Sequence, residues 1–374
     1  MKIRISREDL TDELAKLQGV VSQRSTLAIL SNALFEAVDG TLRLDATDLD
    51  IAVSTACPCE VLEPGKVTLQ AKSIFDIVKN LDENEIELET EENYWAKLKA
   101  GKVSCRIVGT HPDDFPQVLD TTDVEMYPIG TARLLDMIEK TLFSVSTDDA
   151  RPNLTGAFFK VTEAGSLLMV STDGHRLSKI EVTPEEFEPG ANIPPQLSTG
   201  IIIPRKGLSE LKRNVNVKGA ELSFGLKDNN IVFKHGPMNL SIRLIDGTFP
   251  DFTQVLPKES DNKAIVERDS FIQSLRFVSL FANPKTNNVR LSLSDEGLEL
   301  YATDPDRGEG LKTVPVEYSG PPVKAGYNYK YLLEVLGAVD GDEVSIEIID
   351  TLSPTLVRDT QRDEALFVVM PMRL

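Results

Sequence analysis

The sequence predicts an α+β protein built from three tandem copies of one unit, each with two helices and antiparallel sheets. In each copy a glycine turns a β-hairpin whose second strand ends in Thr-Asp, and the glycine precedes the threonine by six or seven residues. The three threonines, Thr47, Thr172 and Thr303, are separated by 125 and 131 residues. A spacing this regular indicates internal repetition, which decides the fold.

Each copy opens with a short strand and an amphipathic helix. In the first copy Ile3 and Ile5 alternate with charged residues, and Ser6 is placed to cap the helix that follows. Apolar positions recur at helical spacing in all three first helices: Leu10, Leu14, Leu17 and Val21; Leu134, Leu135, Ile138 and Leu142; Phe271, Leu275 and Val278 with Phe281 or Ala282. These patterns predict one amphipathic helix at the start of each copy.

A second helix is predicted in each copy after an extended run, over residues 72–81, 205–215 and 328–339. Polar stretches follow the first two copies, so we expect domains at residues 1–123, 124–256 and 257–374. Three such units in tandem can join edge to edge. Two chains that meet head to tail would then close a ring and leave no free sheet edge.

Composition restricts the class of protein. An apolar content of 41% and a charged content of 26% are typical of soluble globular proteins, and no apolar run is long enough to cross a bilayer. Three cysteines and three histidines make a poor metal set, so we expect no metal, no cofactor and a cytoplasmic protein. A formal charge of -19 argues against tight nucleic-acid binding, because that affinity comes mostly from cations that displace phosphate counterions.

The repeats and several motifs resemble the bacterial sliding clamps, the beta subunits of the DNA polymerase III holoenzyme. The resemblance covers residues 1–374 in order and length. Its most specific motifs are Thr-Asp-Gly-His-Arg-Leu at 172–177, Ile-Pro-Arg-Lys-Gly at 203–207, Asp-Gly at 246–247 with Phe-Pro-Asp at 249–251, Val-Leu-Pro-Lys at 255–258, and the terminal Val-Val-Met-Pro-Met-Arg-Leu. It implies the DNA-clamp fold, in which this chain forms half of a six-domain ring.

The function implied by the resemblance is that of a processivity factor without enzyme activity. A head-to-tail homodimer would encircle double-stranded DNA, slide without reading its sequence, and tether the catalytic subunit of the replicative DNA polymerase. A clamp loader complex would open the ring. Other polymerases and repair proteins would dock through short apolar clamp-binding peptides. The alternative within the family is a specialised duplicate of the clamp, retained for drug resistance or for a dedicated partner.

A second alternative is a hydrolase centred on residues 172–177, with His175 as general base and Asp173 as the carboxylate that orients it. The other two copies argue against it. Thr-Asp recurs in all three, which predicts a structural role in which Asp173 accepts hydrogen bonds from turn N–H groups. Gly174, His175 and Arg176 occur only in the second copy, which favours binding. The sequence contains no nucleophile elbow, Walker A loop or dinucleotide-binding fingerprint.

The resemblance places a peptide-binding groove between the second and third repeats. The matching residues are Leu154, Thr172, Gly174, His175, Arg176, Leu177, Pro250, Val255, Val368, Met370, Pro371, Met372 and Arg373. The flexible thioethers of Met370 and Met372 suit several apolar ligands, and Pro371 fixes the backbone between them. Taken singly, Val368, Met370 and Leu177 are also typical core residues.

The resemblance also places basic residues at the inner face of the ring, where weak phosphate contacts suit a protein that slides. The matching residues are Arg24, Lys72, Lys79, Arg151, Arg205, Lys206, Lys212 and Arg213. Three positions in two segments depart from well-known clamps. Pro152 and Asn153 replace aromatic residues, so we expect no base stacking there, and Gln254 replaces an arginine, so we expect no anionic contact there.

For the dimer contact, the resemblance pairs one edge of the first repeat with one helix of the third. Cys105 and Ile107 lie on that edge, and Leu280 and Phe281 lie at the end of that helix. Four apolar residues at such positions could equally belong to a core.

Overall fold

The computed structural model describes residues 1–21, 26–183, 196–256 and 263–373. The helices are α1 (Arg7–Leu17), α2 (Ala71–Lys79), α3 (Thr131–Thr141), α4 (Gln196–Thr199), α5 (Arg205–Asn214), α6 (Arg268–Ser279) and α7 (Tyr329–Ala338). Short 3-10 helices lie at Ala28–Ser31, Pro112–Asp114, Leu142–Ser144, Pro152–Leu154 and Phe252–Val255. None of the helices within the described ranges is both long and apolar enough to cross a membrane.

The strands are short and pair antiparallel. They are β1 (Lys2–Ser6), β2 (Asn32–Val38), β3 (Thr41–Thr47), β4 (Ile51–Pro58), β5 (Glu60–Glu63), β6 (Gly65–Gln70), β7 (Glu85–Thr90), β8 (Ala96–Ala100), β9 (Val103–Ile107), β10 (Gly109–Thr110), β11 (Tyr127–Ile129), β12 (Gly156–Val161), β13 (Leu167–Thr172), β14 (Arg176–Val182), β15 (Ile201–Pro204), β16 (Leu222–Lys227), β17 (Asn230–His235), β18 (Met238–Arg243), β19 (Lys263–Glu267), β20 (Asn288–Ser294), β21 (Gly297–Asp304), β22 (Gly308–Val314), β23 (Val316–Glu317), β24 (Val323–Asn328), β25 (Glu343–Glu347), β26 (Thr355–Asp359) and β27 (Ala365–Val369).

The two helices of each repeat form where the sequence predicts them. The side-chain oxygen of Ser6 accepts a hydrogen bond from the backbone N–H of Asp9 at 3.4 Å, which confirms the predicted cap of α1. The second helices α2, α5 and α7 begin within one residue of the predicted starts and end one or two residues early. Each helix buries an apolar face, and this burial stabilises helices too short to persist alone.

The described residues separate into two compact units. Unit 1 holds the described residues among 1–132 and 206–244, and contains two antiparallel sheets. One sheet has the order β5-β1-β7-β8-β9, and the other the order β10-β6-β2-β3-β4-β18-β17-β16-β11. The nine-stranded sheet joins two repeats because β4 pairs with β18, with Ala52 opposite Ser241. The predicted boundaries near residues 123 and 256 stay a prediction.

Unit 2 holds the described residues among 133–183, 196–205 and 245–373, and its sheets follow the same plan. Its nine-stranded sheet has the order β15-β12-β13-β14-β27-β26-β25-β19-β23, in which Leu177 of β14 lies opposite Val368 of β27. A separate four-stranded sheet has the order β22-β21-β20-β24. In the described part of the chain, β9 of unit 1 and β22 of unit 2 each end a sheet with one strand edge unpaired.

The recurring Thr-Asp dipeptide builds the turn after the hairpin. In the first repeat the hydroxyl of Thr47 donates to the carbonyl of Ile51 at 2.9 Å and accepts the N–H of Leu49 at 2.9 Å. The carboxylate of Asp48 accepts the N–H groups of Asp50 and Ile51 at 3.0 and 2.8 Å. Leu49 adopts φ of 83°, a left-handed conformation that a glycine adopts with less strain.

The packing predicts opposite effects for two alanine substitutions in unit 2. In Gly156→Ala the new Cβ would lie 2.5 Å from the carbonyl oxygen of Ile203, so paired strands must move and we expect a loss of about 1–3 kcal/mol. Gly337→Ala, in α7, meets nothing within 4 Å and should stabilise by about 0.5–1 kcal/mol, because alanine favours the helix. Urea unfolding of both variants measures the difference, and equal stabilities would contradict the packing.

Candidate peptide-binding groove

Residues 172–177 form the Thr-Asp turn of the second repeat, between β13 and β14. The hydroxyl of Thr172 donates to the carbonyl of Arg176 at 2.6 Å and accepts the N–H of Gly174 at 3.0 Å. The carboxylate of Asp173 accepts the N–H groups of His175 and Arg176 at 2.8 and 3.0 Å. This confirms the structural role predicted for Asp173. Gly174, at φ of 88°, occupies the left-handed position that Leu49 occupies in the first repeat.

The same contacts argue against a hydrolase centred on Asp173 and His175. Both carboxylate oxygens of Asp173 are engaged by Arg176 or by backbone N–H groups of the turn. The imidazole of His175 stacks instead on the ring of Tyr331, with centroids 6.5 Å apart. Within the described ranges, no group of three or more His, Cys, Asp or Glu side chains is arranged to hold a metal ion.

Arg176 is 8% exposed and connects the turn to the third repeat. Its Nε donates to the carboxylate of Asp173 at 3.1 Å, and its other nitrogens bond the carboxylate of Glu334 in α7 and the carbonyl of Phe143. The guanidinium lies 4.4 Å from the ring of Tyr331. Arg176 was predicted to line the peptide groove, but its side chain is already engaged in holding the turn against α7.

The end of the described chain lies beside this turn. The N–H of Met370 donates to the carbonyl of His175 at 2.8 Å, and the N–H of Met372 donates to the carbonyl of Gly326 at 2.7 Å. The C-terminal segment, residues 370–373, is therefore fixed to the turn at one point and to β24 at the other. Both methionine side chains are half-buried, so part of each thioether is open to solvent.

The predicted groove residues divide by exposure. Leu154, Leu177 and Val368 are buried in one apolar cluster, so they are core residues that support the surface from below. The half-buried or exposed residues are Thr172, Gly174, His175, Pro250, Val255, Met370, Pro371, Met372 and Arg373. Gln254, which replaces an arginine, donates its amide to the carboxylate of Asp251 at 3.0 Å.

Sequence reasoning missed two residues of this surface. Tyr331 stacks against His175, although nothing in the helical pattern of α7 distinguishes it from other half-buried positions. Leu352 is 77% exposed in the turn that leads into β26. Since Thr355 lies opposite Val369, this turn is at the same end of the sheet as the C-terminal segment. A lone leucine in a polar turn was the signal that could have identified it.

A polar cavity of about 370 Å³ adjoins the turn. Its lining includes Arg151, Arg176, Arg205, Asp148, His175 and Tyr331. Arg151 pairs with the carboxylate of Asp148 at 3.3 Å and donates to the carbonyl of Asp173 at 2.9 Å, so it supports the turn. Arg205 donates to the carbonyl of Val145 at 3.4 Å. Both arginines were predicted to face DNA, and the structure shows them in contacts within unit 2.

The predicted DNA-facing lysines of α2 lie on its exposed side. Lys72 forms an ion pair with Asp76 at 3.3 Å, and the ammonium of Lys79 lies 5.7 Å from the ring centre of Phe75. Surface pairs of this kind contribute little to stability. Arg24, predicted to contact DNA, lies outside the described residues.

The basic residues of α5 are more engaged with carboxylates than the sequence indicates. Arg213 pairs with the buried Glu210 at 2.6 Å, and Lys206 pairs with Asp48 of the first Thr-Asp turn. Burial raises the pKa of Glu210, while Arg213 and Lys206 counteract that rise. Lys212 is exposed. A phosphate contact by Lys206 or Arg213 therefore competes with the carboxylate that already pairs with that side chain.

The residues predicted for the dimer contact lie on β9 of unit 1 and beside β22 of unit 2, and each of these strands ends a sheet. In unit 1, Cys105 is half-buried and Ile107 is buried, both on β9. In unit 2, Leu280 is 63% exposed just after α6. The ring of half-buried Phe281 covers Gly310 of β22 so closely that a Cβ there would lie 2.2 Å from it. Cys105, Leu280 and Phe281 therefore remain at least partly open to solvent, whereas Ile107 is buried.

Three domain families match the chain along its length. They are described as the N-terminal domain of the DNA polymerase III beta subunit at residues 1–120, its central domain at 129–251, and its C-terminal domain at 253–373. Together they cover most of the sequence in the order of the three repeats.

Similar proteins and structures agree. The beta sliding clamps of Pseudomonas aeruginosa and Escherichia coli are each 33% identical over 376 residues and cover 100% of both chains. A crystal structure of a sliding clamp from Pseudomonas aeruginosa bound to griselimycin superposes with a TM-score of 0.91 at 33% identity, covering 100% of both chains. The chain therefore belongs to the family of DNA polymerase III beta subunits, the beta sliding clamps that act as processivity factors in DNA replication.

Proposed function

We propose that two copies of this chain close head to tail into a ring that encircles duplex DNA, and that the ring holds polymerases through the groove at residues 172–177 and 370–373. The ring catalyses no reaction and works in the cytoplasm. Its partners are the catalytic subunit of the replicative polymerase, a clamp loader complex, and other polymerases and repair proteins with short apolar peptides. The observation that carries the ring is the arrangement of the sheets.

The nine-stranded sheet of unit 2 has two parts. Four strands come from the second repeat, ending at β14, and five come from the third, beginning at β27. The four-stranded sheet of unit 2 has the same strand order as the four strands from the second repeat, with β22 in the place of β14. The five-stranded sheet of unit 1 has the same strand order as the five strands from the third repeat, with β9 in the place of β27. Four and five strands complete one more nine-stranded sheet if β22 of one copy pairs with β9 of another.

The junctions already closed in the chain give the register for this pairing. Ala52 in the first repeat and Leu177 in the second each lie opposite the threonine of their Thr-Asp dipeptide. Across the junction, Ala52 lies opposite Ser241 and Leu177 lies opposite Val368. The register is therefore the same at both closed junctions.

Applied to the open edges, this register brings two opposite charges together. Glu309 of β22 lies opposite Thr303, so it takes the place of Ala52 and Leu177. Arg106 of β9 takes the place of Ser241, because each follows the turn glycine of its hairpin by five residues. The same match follows from the residues that lie opposite each other across successive strands. From β1 to β9 these pairs lead to Arg106, and from β19 to β27 the equivalent pairs lead to Val368. Arg106 of one copy then faces Glu309 of the other.

DNA binding by such a ring needs no tight contact. A closed ring retains DNA topologically, and weak, sequence-independent phosphate contacts let it slide. We assign these contacts to the cations that the resemblance places at the inner face of the ring: Arg24, which lies outside the described residues, and Lys72, Lys79, Arg151, Arg205, Lys206, Lys212 and Arg213. The formal charge of -19 repels DNA from the rest of the surface.

The groove is the docking site for partner peptides. Its half-buried methionines adapt to different apolar side chains, while the hydrogen bonds from Met370 to His175 and from Met372 to Gly326 hold the backbone still. Exposed Leu352 extends the apolar surface. The relative from Pseudomonas aeruginosa was solved with griselimycin, and we assign griselimycin to this groove in the present chain.

Charge reversal tests the ring. Arg106→Glu or Glu309→Arg alone places like charges opposite each other at both contacts of the dimer, and we expect the dimer dissociation constant to rise about tenfold. The double reversal restores an opposite pair and should recover most of the loss. Sedimentation of diluted samples measures the change. The matched control is Arg4→Glu, which disrupts the pair with Glu60 in the same sheet but away from β9. A double reversal as weak as either single variant would contradict the register.

Truncation of the groove tests the docking site. Met370→Ala removes apolar contact area beside His175, and we expect the affinity for griselimycin to fall about tenfold in calorimetry. Leu352→Ala should weaken binding in the same direction by a smaller factor. Leu62→Ala, a truncation of an exposed leucine on β5, is the control and should bind normally. Unchanged affinity in Met370→Ala would place the ligand elsewhere.

A further inference from the structure

Lys140 is a buried cation that the groove and the DNA surface do not use. It lies in α3, is 4% exposed, and its Nζ lies 2.6 Å from the carboxylate of Asp340 and 3.1 Å from that of Asp136. It also donates to the carbonyl of Ala338 at 3.3 Å. Burying an ammonium group is costly unless such partners replace its water. The second repeat is thereby bonded to the end of α7, which belongs to the third.

Arg362 extends these contacts into a network. It lies 2.7 Å from Asp340, 3.4 Å from Asp136 and 2.6 Å from Glu364. Burial alone would raise the pKa of Asp340, but Lys140 and Arg362 outweigh it and lower the pKa. Since Arg362 and Glu364 directly precede β27, the network also ties the start of that strand to α3.

The corresponding positions of the other first helices carry different contacts. Aligned on their buried residues, α1, α3 and α6 place Lys16, Lys140 and Phe277 at the same point. Lys16 pairs at 2.6 Å with Glu13 of its own helix, and Phe277 is 47% exposed. Among these three equivalent positions, Lys140 is the one whose side chain forms an ion pair with the following repeat.

We propose that Lys140, Asp340 and Arg362 are positioning residues for the peptide groove, an inference that rests on the proposed function of that groove. The two walls of the groove come from different repeats: the 172–177 turn from the second, and α7 with the C-terminal segment from the third. Arg176 bonds the middle of α7 through Glu334, and Lys140 bonds the residue just beyond its C-terminal end, Asp340. With the middle and the C-terminal end of α7 and the start of β27 fixed, the two walls keep one separation before a ligand arrives.

The test measures griselimycin affinity by calorimetry in full-length variants that do not touch the groove. Lys140→Met removes the cation with little change in side-chain size, and Asp340→Asn removes its partner at the end of α7. We expect each to lower affinity about five- to tenfold. Because both variants remove the contact between Lys140 and Asp340, the double variant should lose less affinity than the sum of the two single losses. Asp340→Asn leaves Lys140 paired with Asp136, so it provides the measurement should Lys140→Met fail to fold.

Lys179→Met is the matched control, because Lys179 pairs with Glu181 at 2.9 Å within β14 and joins no two repeats. It should bind griselimycin as the unmodified chain does. If Met370→Ala loses affinity while Lys140→Met and Asp340→Asn bind normally, the positioning role is overturned and the groove stands. Losses that add in the double variant also overturn it. If Met370→Ala binds normally, the groove assignment fails and this inference fails with it.

Discussion

An antiparallel strand at the edge of a sheet exposes N–H and C=O groups that need partners, and the rest of this structure depends on that constraint. The chain meets it twice internally, where β4 pairs with β18 and β14 pairs with β27. Through each pairing, two successive repeats share one sheet of nine strands. The three repeats therefore form two compact units. The same constraint, applied to β9 and β22, is the basis for the proposed pairing with a second copy of the chain.

The candidate groove lies at one end of the pairing between β14 and β27, the two strands that join the second and third repeats. The 172–177 turn and the C-terminal segment come from different repeats, yet the pairing of β14 with β27 brings them together. Leu177 and Val368 are buried beneath this surface while Met370 and Met372 are half-buried, and this contrast supports the proposed groove. The arginines near the turn, Arg151 and Arg176, hold it in shape.

Much of this could be read from the sequence, because its signals are local. The Thr-Asp spacing located the hairpins, Ser6 located the start of α1, and the comparison of three copies separated the structural Asp173 from the variable residues beside it. The partners of Arg176, Lys206 and Lys140 could not be predicted. Glu334, Asp48 and Asp340 lie 158, 158 and 200 residues away, and no local pattern encodes such a contact. Leu352 was missed because its importance comes from the strand next to it.

The most direct test of the ring is its retention on DNA of different topology. A clamp loader places the labelled protein on a nicked circular plasmid, free protein is removed by gel filtration in high salt, and half of the sample is then cut once with a restriction enzyme. The ring predicts that protein stays with the circle and leaves the linear DNA by sliding off its ends. Equal loss from circular and linear DNA as salt rises would show that charge alone holds the protein, and would contradict the account.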